Sequence, residues 1–313
     1  MTLNKPKFWN TKYNFFTFFL IPITLIVLLI IYIKKKFTKI LRFNISIICV
    51  GNIYIGGTGK TPTSIYIANE LTKLGKRPII IRKFYKEHKD EHNLIKENFK
   101  NFIVNKDRVA GILKAERMGY DTVILDDGFQ DYKIKKNLNI LCFNQNQLIG
   151  NGLVIPSGPL RESLSSLKDA DIILINGKKN IEFEEKVLNV NKDLKIFYTR
   201  YKPLNIDQFK NKKLLAIAGI GNPDNFFQLL LENGLNIERK LIYPDHYEFT
   251  ENEISNIVKE ANKNKNQIIM TEKDYFKIND FKLDEIKYLK VSLVVNEKEN
   301  LLKTIYRLYD QNN

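Results

Sequence analysis

The side chains best suited to phosphate chemistry lie in residues 45–64, ISIICVGNIYIGGTGKTPTS. An apolar, β-branched run ends at Gly51. Gly56, Gly57 and Gly59 follow, then Lys60 and Thr61. This is the order strand, phosphate loop, helix start. Glycines let a backbone curl until its N–H groups face phosphate oxygens. A lysine at position 60 suits the β- and γ-phosphates of a nucleoside triphosphate, and the Thr61 hydroxyl suits Mg²⁺. The expected nucleotide-binding stretch is therefore Tyr54, Ile55, Gly56, Gly57, Thr58, Gly59, Lys60 and Thr61. Pro62 fits a first helical turn, whose positive end adds to the anion site. The strict pattern G-x-x-x-x-G-K-[ST] asks for glycine where Tyr54 stands, so Gly56 and Gly57 must supply the flexibility. A glycine-rich turn without ligand is the bland alternative, and GKT directly after a buried-type strand argues against it.

A second set is TVILDDGFQ, an apolar strand ending in Asp126 and Asp127. In phosphate-loop proteins an acid at the tip of a neighbouring strand holds Mg²⁺, directly or through water. The alternative is an Asp-Gly turn formed for backbone reasons. Four further clusters stay ambiguous when taken alone. Residues 88–92, HKDEH, place two histidines four apart, but the surrounding 83–100 reads as polar and irregular, so a solvated loop is the default. GNGLVIPSGPLRE offers Arg161 on an ordered loop, as a phosphate clamp or merely part of a connector. Asp245-His246 is either a positioned pair or the approach to a helix. Thr271-Glu272-Lys273-Asp274 ends an apolar strand, where α/β sheets keep sites, and reads equally as a capping box.

The elements that must position these residues alternate. A helix runs to about residue 74, and strands are expected at 77–82, 102–104, 122–125, 137–143 and 171–176, with a helical pattern over 107–119. That alternation predicts a parallel sheet with helices on its faces. YTRYKPLNID, from Tyr198, reads as a connector. A second α/β unit starts at Lys213, with strands near 240–243, 267–271 and 288–295 and a closing helix after Glu297. The predicted fold is α/β: a phosphate-loop, kinase-type parallel-sheet domain over 37–205, a smaller C-terminal α/β domain over 206–313 that closes over the active site, and an N-terminal membrane anchor over 1–36.

The anchor is read from Phe15–Ile33, 19 residues without a charge, enough to cross a hydrocarbon core of roughly 30 Å. Lys34, Lys35 and Lys36 stop it, and Trp9, Tyr13 and Tyr32 suit the interfaces. No small-residue cleavage site marks it as a signal peptide. The three lysines place the C-terminal side in the cytoplasm, where an ATP site belongs. The 313 residues carry a net charge of +15. Lysine, asparagine and isoleucine are abundant throughout, and no arginine-rich stripe or RNA-binding signature appears, so nucleic acid is not an expected partner. The basic cluster after the anchor suits anionic lipid heads. Cys49 and Cys142 sit in apolar runs without metal or disulfide spacing.

Taken in order, GGTGKTP, KDEH, KDR, ILDDGFQ, GNGLVIPSGPLRE, AIAGIGNPDNFF, PDHYEF and TEKD resemble the tetraacyldisaccharide 4′-kinase family, the lipid A 4′-kinases, from about residue 45 to 277. The resemblance implies a membrane-anchored lipid kinase that uses ATP and Mg²⁺. Its acceptor would be the 4′-hydroxyl of a tetraacylated glucosamine disaccharide 1-phosphate. By the same resemblance, Asp90 matches an acid that helps deprotonate the sugar hydroxyl, with His246 as its dyad partner and Lys60 on the transferred phosphate. Glu91 matches an acid near the metal held by Thr61, Asp126 and Asp127, and Arg161 matches a loop arginine that contacts phosphate or substrate. It places the protein at the cytoplasmic face of the inner membrane and implies no obligate protein partner. IRKFYKEH stands where the family usually has SRGYGG, and Asp131 where it often has histidine. The competing reading is a membrane-associated ATPase of the deviant phosphate-loop type. That class carries an extra lysine just before the glycines, where this chain has Ile55.

Overall fold

The computed structural model describes residues 6–11, 14–85, 88–245, 247–278, 281 and 283–310. Helix α1 (Phe15–Phe37) opens on Asn14, whose side chain accepts from the Phe16 N–H at 2.9 Å. By length and composition it can cross a membrane. One face packs on the protein, with Thr17 and Thr24 buried and Val27, Leu28 and Ile31 against the core. The other face exposes Phe15, Phe19, Ile26 and Ile30.

From there the chain alternates. It runs through β1 (Ser46–Gly51), α2 (Lys60–Lys73), β2 (Pro78–Lys83), α3 (Lys89–Asn98), β3 (Phe102–Asn105) and α4 (Arg108–Arg117). Next come β4 (Thr122–Asp126), β5 (Leu138–Asn144), β6 (Ile172–Asn176), α5 (Ile181–Leu188) and β7 (Lys195–Pro203). The remainder is β8 (Lys213–Ala218), α6 (Pro223–Glu232), β9 (Asn236–Ile242), α7 (Glu251–Lys263), β10 (Gln267–Thr271), α8 (Glu272–Ile278), β11 (Ile286–Leu289), β12 (Val291–Val295) and α9 (Lys298–Asp310).

One sheet has the order β12-β7-β6-β5-β1-β4-β2-β3. Its central strand β1 pairs in parallel with β4 and β5 and is buried at every residue. Strands covered on both faces are apolar throughout, which is why SIICVG shows no alternation. The second sheet, β11-β10-β8-β9, is parallel. Along β8 the period of two is explicit. Leu215 and Ile217 face Ile254, Ile257 and Val258 of α7, while Leu214, Ala216 and Ala218 face Phe226, Phe227 and Leu230 of α6.

The chain divides into two compact units. Tyr85–Asn98 and Tyr201–Leu293 belong to one. The described residues before Tyr85, Phe99–Arg200 and those after Leu293 belong to the other. This differs from a contiguous boundary near residue 205 in two places. Residues 85–98 join the C-terminal unit because α3 is tied to α8, with Asn98 Nδ2 donating to Glu272 Oε1 at 3.2 Å. Helix α9 returns to the nucleotide unit, where Lys298 pairs with Glu70 at 2.6 Å. Two local expectations are also corrected. HKDEH is not a solvated loop: α3 begins at Lys89 and buries Asp90, His92 and Ile95. The expected connector at Tyr198 is the second half of β7, and the strand expected over 288–295 is two strands.

Candidate active site

The phosphate loop leaves β1 at its carboxyl end and enters α2. Gly56 and Gly59 take φ of 116° and 91°, a region that side chains disfavour. Tyr54 is absent from the positive-φ positions, so the loop needs no glycine there. Its side chain is 2 % exposed and fills the core beside Leu160. Asn52, which the sequence did not mark, shapes the loop from inside. Its buried Nδ2 lies 2.6 Å from the Tyr54 carbonyl, 2.9 Å from Thr58 Oγ1 and 3.3 Å from the Gly56 carbonyl. Gln130 of the DDGFQ turn donates to the Asn52 carbonyl at 3.0 Å.

Strand β4 lies beside β1 and delivers both acids to the loop. Asp126 is fully buried. It accepts from the Thr61 hydroxyl at 3.1 Å and the Ser64 hydroxyl at 2.9 Å, and pairs with the Arg82 guanidinium. Asp127 takes a left-handed φ of 56°, which Asp tolerates better than most residues. Its carboxylate meets Arg161 at 2.8 Å and Lys60 at 3.6 Å. Burial pushes the Asp127 carboxyl up, but the charges of Lys60, Arg161, Arg82 and Arg108 outweigh burial and hold it well below the usual carboxylate range. Burial lowers the Lys60 ammonium, against the opposing pull of Asp127. Arg108, at the start of α4, donates to the Asp127 carbonyl at 2.6 Å and fixes the turn.

The structure thus brings Lys60, Thr61, Asp126, Asp127 and Arg161 together. Arg82 and Arg108 join them unforeseen. For Arg82 the signal was a buried charge following the apolar run PIII in β2. Among the described residues no group of three or more His, Cys, Asp or Glu is placed to hold a metal. That does not disqualify Mg²⁺, which binds through one or two carboxylates, substrate phosphates and water. The hard oxygen pair of Thr61 and Asp126, with Asp127 beside it, fits such an ion.

Asp90 and Glu91 sit in the C-terminal unit, on the first turn of α3. Asp90 is 3 % exposed. Lys273 of α8 is the hub there. Its Nζ lies 2.9 Å from Asp245, 3.4 Å from Asp90 and 3.6 Å from Glu91. Lys277 stands 3.8 Å from Asp90 and 2.7 Å from Asp274. Half of the TEKD capping box forms: the Asp274 N–H donates to Thr271 Oγ1 at 3.1 Å, and the Thr271 hydroxyl donates to the Asp274 carboxylate at 2.7 Å. Asp274 does more than cap. It also accepts from the Gly219 N–H at 2.8 Å and so pins the loop after β8. His246 lies outside the described residues.

Comparison with known proteins places this geometry among relatives. The family described as tetraacyldisaccharide-1-P 4′-kinase matches residues 16–309. A tetraacyldisaccharide 4′-kinase of Pelagibacter ubique is 41 % identical over 316 residues, covering 100 % of both chains. One from Rickettsia akari is 30 % identical, covering 96 % of each. The crystal structure of LpxK from Aquifex aeolicus in complex with ATP matches with a TM-score of 0.70 at 26 % identity, covering 94 % of this chain and 99 % of that one.

Proposed function

The chain belongs to the tetraacyldisaccharide-1-phosphate 4′-kinase family, and we propose on that footing that it moves the γ-phosphoryl group of ATP to the 4′-hydroxyl of a tetraacylated glucosamine disaccharide 1-phosphate. One observation carries the reading to this chain's own residues. Thr61 bonds Asp126 while Lys60 faces Asp127, at the carboxyl ends of the adjacent parallel strands β1 and β4.

Phosphoryl transfer asks for positioning and charge neutralisation more than covalent chemistry. The loop N–H groups from Gly56 to Thr61 cradle the phosphates, and Lys60 leaves Asp127 to follow the charge that develops on the transferred group. Thr61, Asp126 and Asp127 would hold Mg²⁺, and the family likeness gives Glu91 the role of a further acid toward the ion. When bound, the ion offsets phosphate charge and orients the oxygens. Arg161, paired with Asp127, would contact phosphate or substrate. Asp90 accepts the proton of the sugar hydroxyl, with His246 as its dyad partner. Lys273 keeps Asp90 and Asp245 in place for that role.

Helix α1 seats the protein at the cytoplasmic face of the inner membrane, where ATP is available and a lipid with four acyl chains resides. Lys34, Lys36 and the basic residues after them suit anionic head groups, whereas Lys35 turns to Glu162 and Asp169. The test is transfer of labelled γ-phosphate from ATP to the tetraacyl disaccharide 1-phosphate by detergent-solubilised protein, with Lys60→Ala alongside. A labelled lipid that disappears in the variant supports the kinase. ATP hydrolysis without labelled lipid favours an ATPase of the deviant phosphate-loop type.

A further inference from the structure

Helix α1 is apolar along its length except at Thr17 and Thr24, before the lysines that end it. Their spacing of seven puts them on one helix face, and Lys35, eleven residues after Thr24, falls on the same face. That face holds the 150–162 loop. The Thr24 hydroxyl, buried, lies 3.2 Å from the Val154 carbonyl and 2.8 Å from Ser157 Oγ, and accepts from the Ser157 N–H at 3.1 Å. Lys35 pairs with buried Glu162 at 3.3 Å and with Asp169 at 2.8 Å. Burial pushes the ionisation of the nearby Tyr132 phenol up, and the Glu162 and Asp169 carboxylates add to it.

The inner side of the same loop holds the phosphate loop. Ile55 N–H donates to the Pro159 carbonyl at 2.9 Å, and Arg161 N–H donates to the Ile53 carbonyl at 2.7 Å. Tyr54 and Leu160 form an antiparallel bridge between them. The next side chain, Arg161, meets Asp127. A continuous set of contacts therefore runs from α1 to the nucleotide residues within one unit.

We propose that α1, besides any membrane role, is a positioning element of the nucleotide site: Thr24 and Lys35 seat the 150–162 loop, which fixes the approach to the phosphate loop and aims Arg161 at Asp127. The inference rests on the kinase reading only for its turnover arm. Thr24 and Lys35 are positioning residues, since neither touches the phosphate-binding backbone. Coupling of this kind is carried by rigid, contiguous hydrogen-bonded elements.

The test uses the full chain in detergent micelles, where a bilayer plays no part. Thr24→Val and Lys35→Met are made singly and together, with Thr24→Ser and Lys35→Arg as conservative partners. ATP affinity is measured by calorimetry, and kcat and both KM values by label transfer. The double variant is expected to weaken ATP binding about five- to tenfold, the scale of one or two lost buried hydrogen bonds. Its KM for lipid should stay within about twofold, and the conservative variants should recover ATP affinity. Unchanged ATP affinity, or a rise confined to the lipid KM, overturns the proposal and leaves α1 serving lipid access alone. Should the double variant fail to fold, Thr24→Val against Thr24→Ser decides by the same affinity. A wild-type protein that binds ATP but labels no lipid defeats the kinase reading, while the affinity arm still reads the positioning role.

Discussion

Arg82 and Asp126 form an ion pair in which the side chains are 3 % and 0 % exposed. The carboxylate also accepts from Thr61 and Ser64, so removing the arginine leaves a charge that two neutral hydroxyls must satisfy. Breaking such a pair by deleting one partner costs about 3–5 kcal/mol. In a unit of this size each kcal/mol lowers the midpoint by about 2–4 °C, so Arg82→Met should lose roughly 6–20 °C. Asp126→Asn should cost a similar amount, because it removes the carboxylate that offsets the buried guanidinium charge. The double variant removes both charges while its new amide can still bond Thr61 or Ser64. It should therefore be much less destabilised than the two single losses added, with a coupling energy of at least about 2 kcal/mol. The assay is thermal and urea unfolding of all four proteins without nucleotide. Label transfer should stay low in the double variant, since the carboxylate beside Thr61 is gone even when stability returns. Single losses that simply add, within about 0.5 kcal/mol, would refute the claim that the two buried charges depend on each other.

Four further outcomes follow from the same structure. Asp90→Asn should lower kcat by about 10²–10⁴ while the KM for ATP moves less than about threefold, and an equal loss of ATP binding would make Asp90 structural. Asn52→Ala should weaken ATP binding about tenfold, because three loop oxygens lose their shared donor, and calorimetry showing unchanged affinity would mean the loop holds its shape unaided. Asp127 has a depressed folded value, so its stabilisation is present above the unfolded carboxylate value of about 4 and is lost as pH falls below it. Asp127→Asn should accordingly flatten the acid side of the stability profile, and a variant profile parallel to wild type there would count against the charge cluster. Burial pushes the Cys49 thiol up to about 11 and the Cys142 thiol up to about 12. Neither should react with a thiol reagent at pH 8 until the protein is denatured, and rapid labelling of the native protein would mean that β1 or β5 opens.

Much of this protein is written in short, contiguous stretches. The phosphate loop is legible because strand, glycines, lysine and threonine follow one another, and the geometry they need is local to the backbone. The DDG turn and the TEKD capping box are legible for the same reason, as is α1 from its length and lack of charge. Tyr54 shows the limit of a motif. The position needs no special φ, so a pattern demanding glycine there was stricter than the physics.

The partners are what the sequence alone withheld. Arg82 reaches Asp126 across 44 residues, Arg161 reaches Asp127 across 34, and Asn98 reaches Glu272 across 174. Each meeting depends on which strands lie side by side and in what register, which is settled only when the sheets assemble. The HKDEH stretch looked irregular because α3 owes its place to α8 rather than to its own periodicity. Nothing in the apolar run around Thr24 announces that its hydroxyl meets Val154 and Ser157. Residue types and local order determined which chemistry this chain carries. The pairing of strands distant in sequence decided which charges neutralise each other, because a buried charge is tolerated only where the fold supplies its partner.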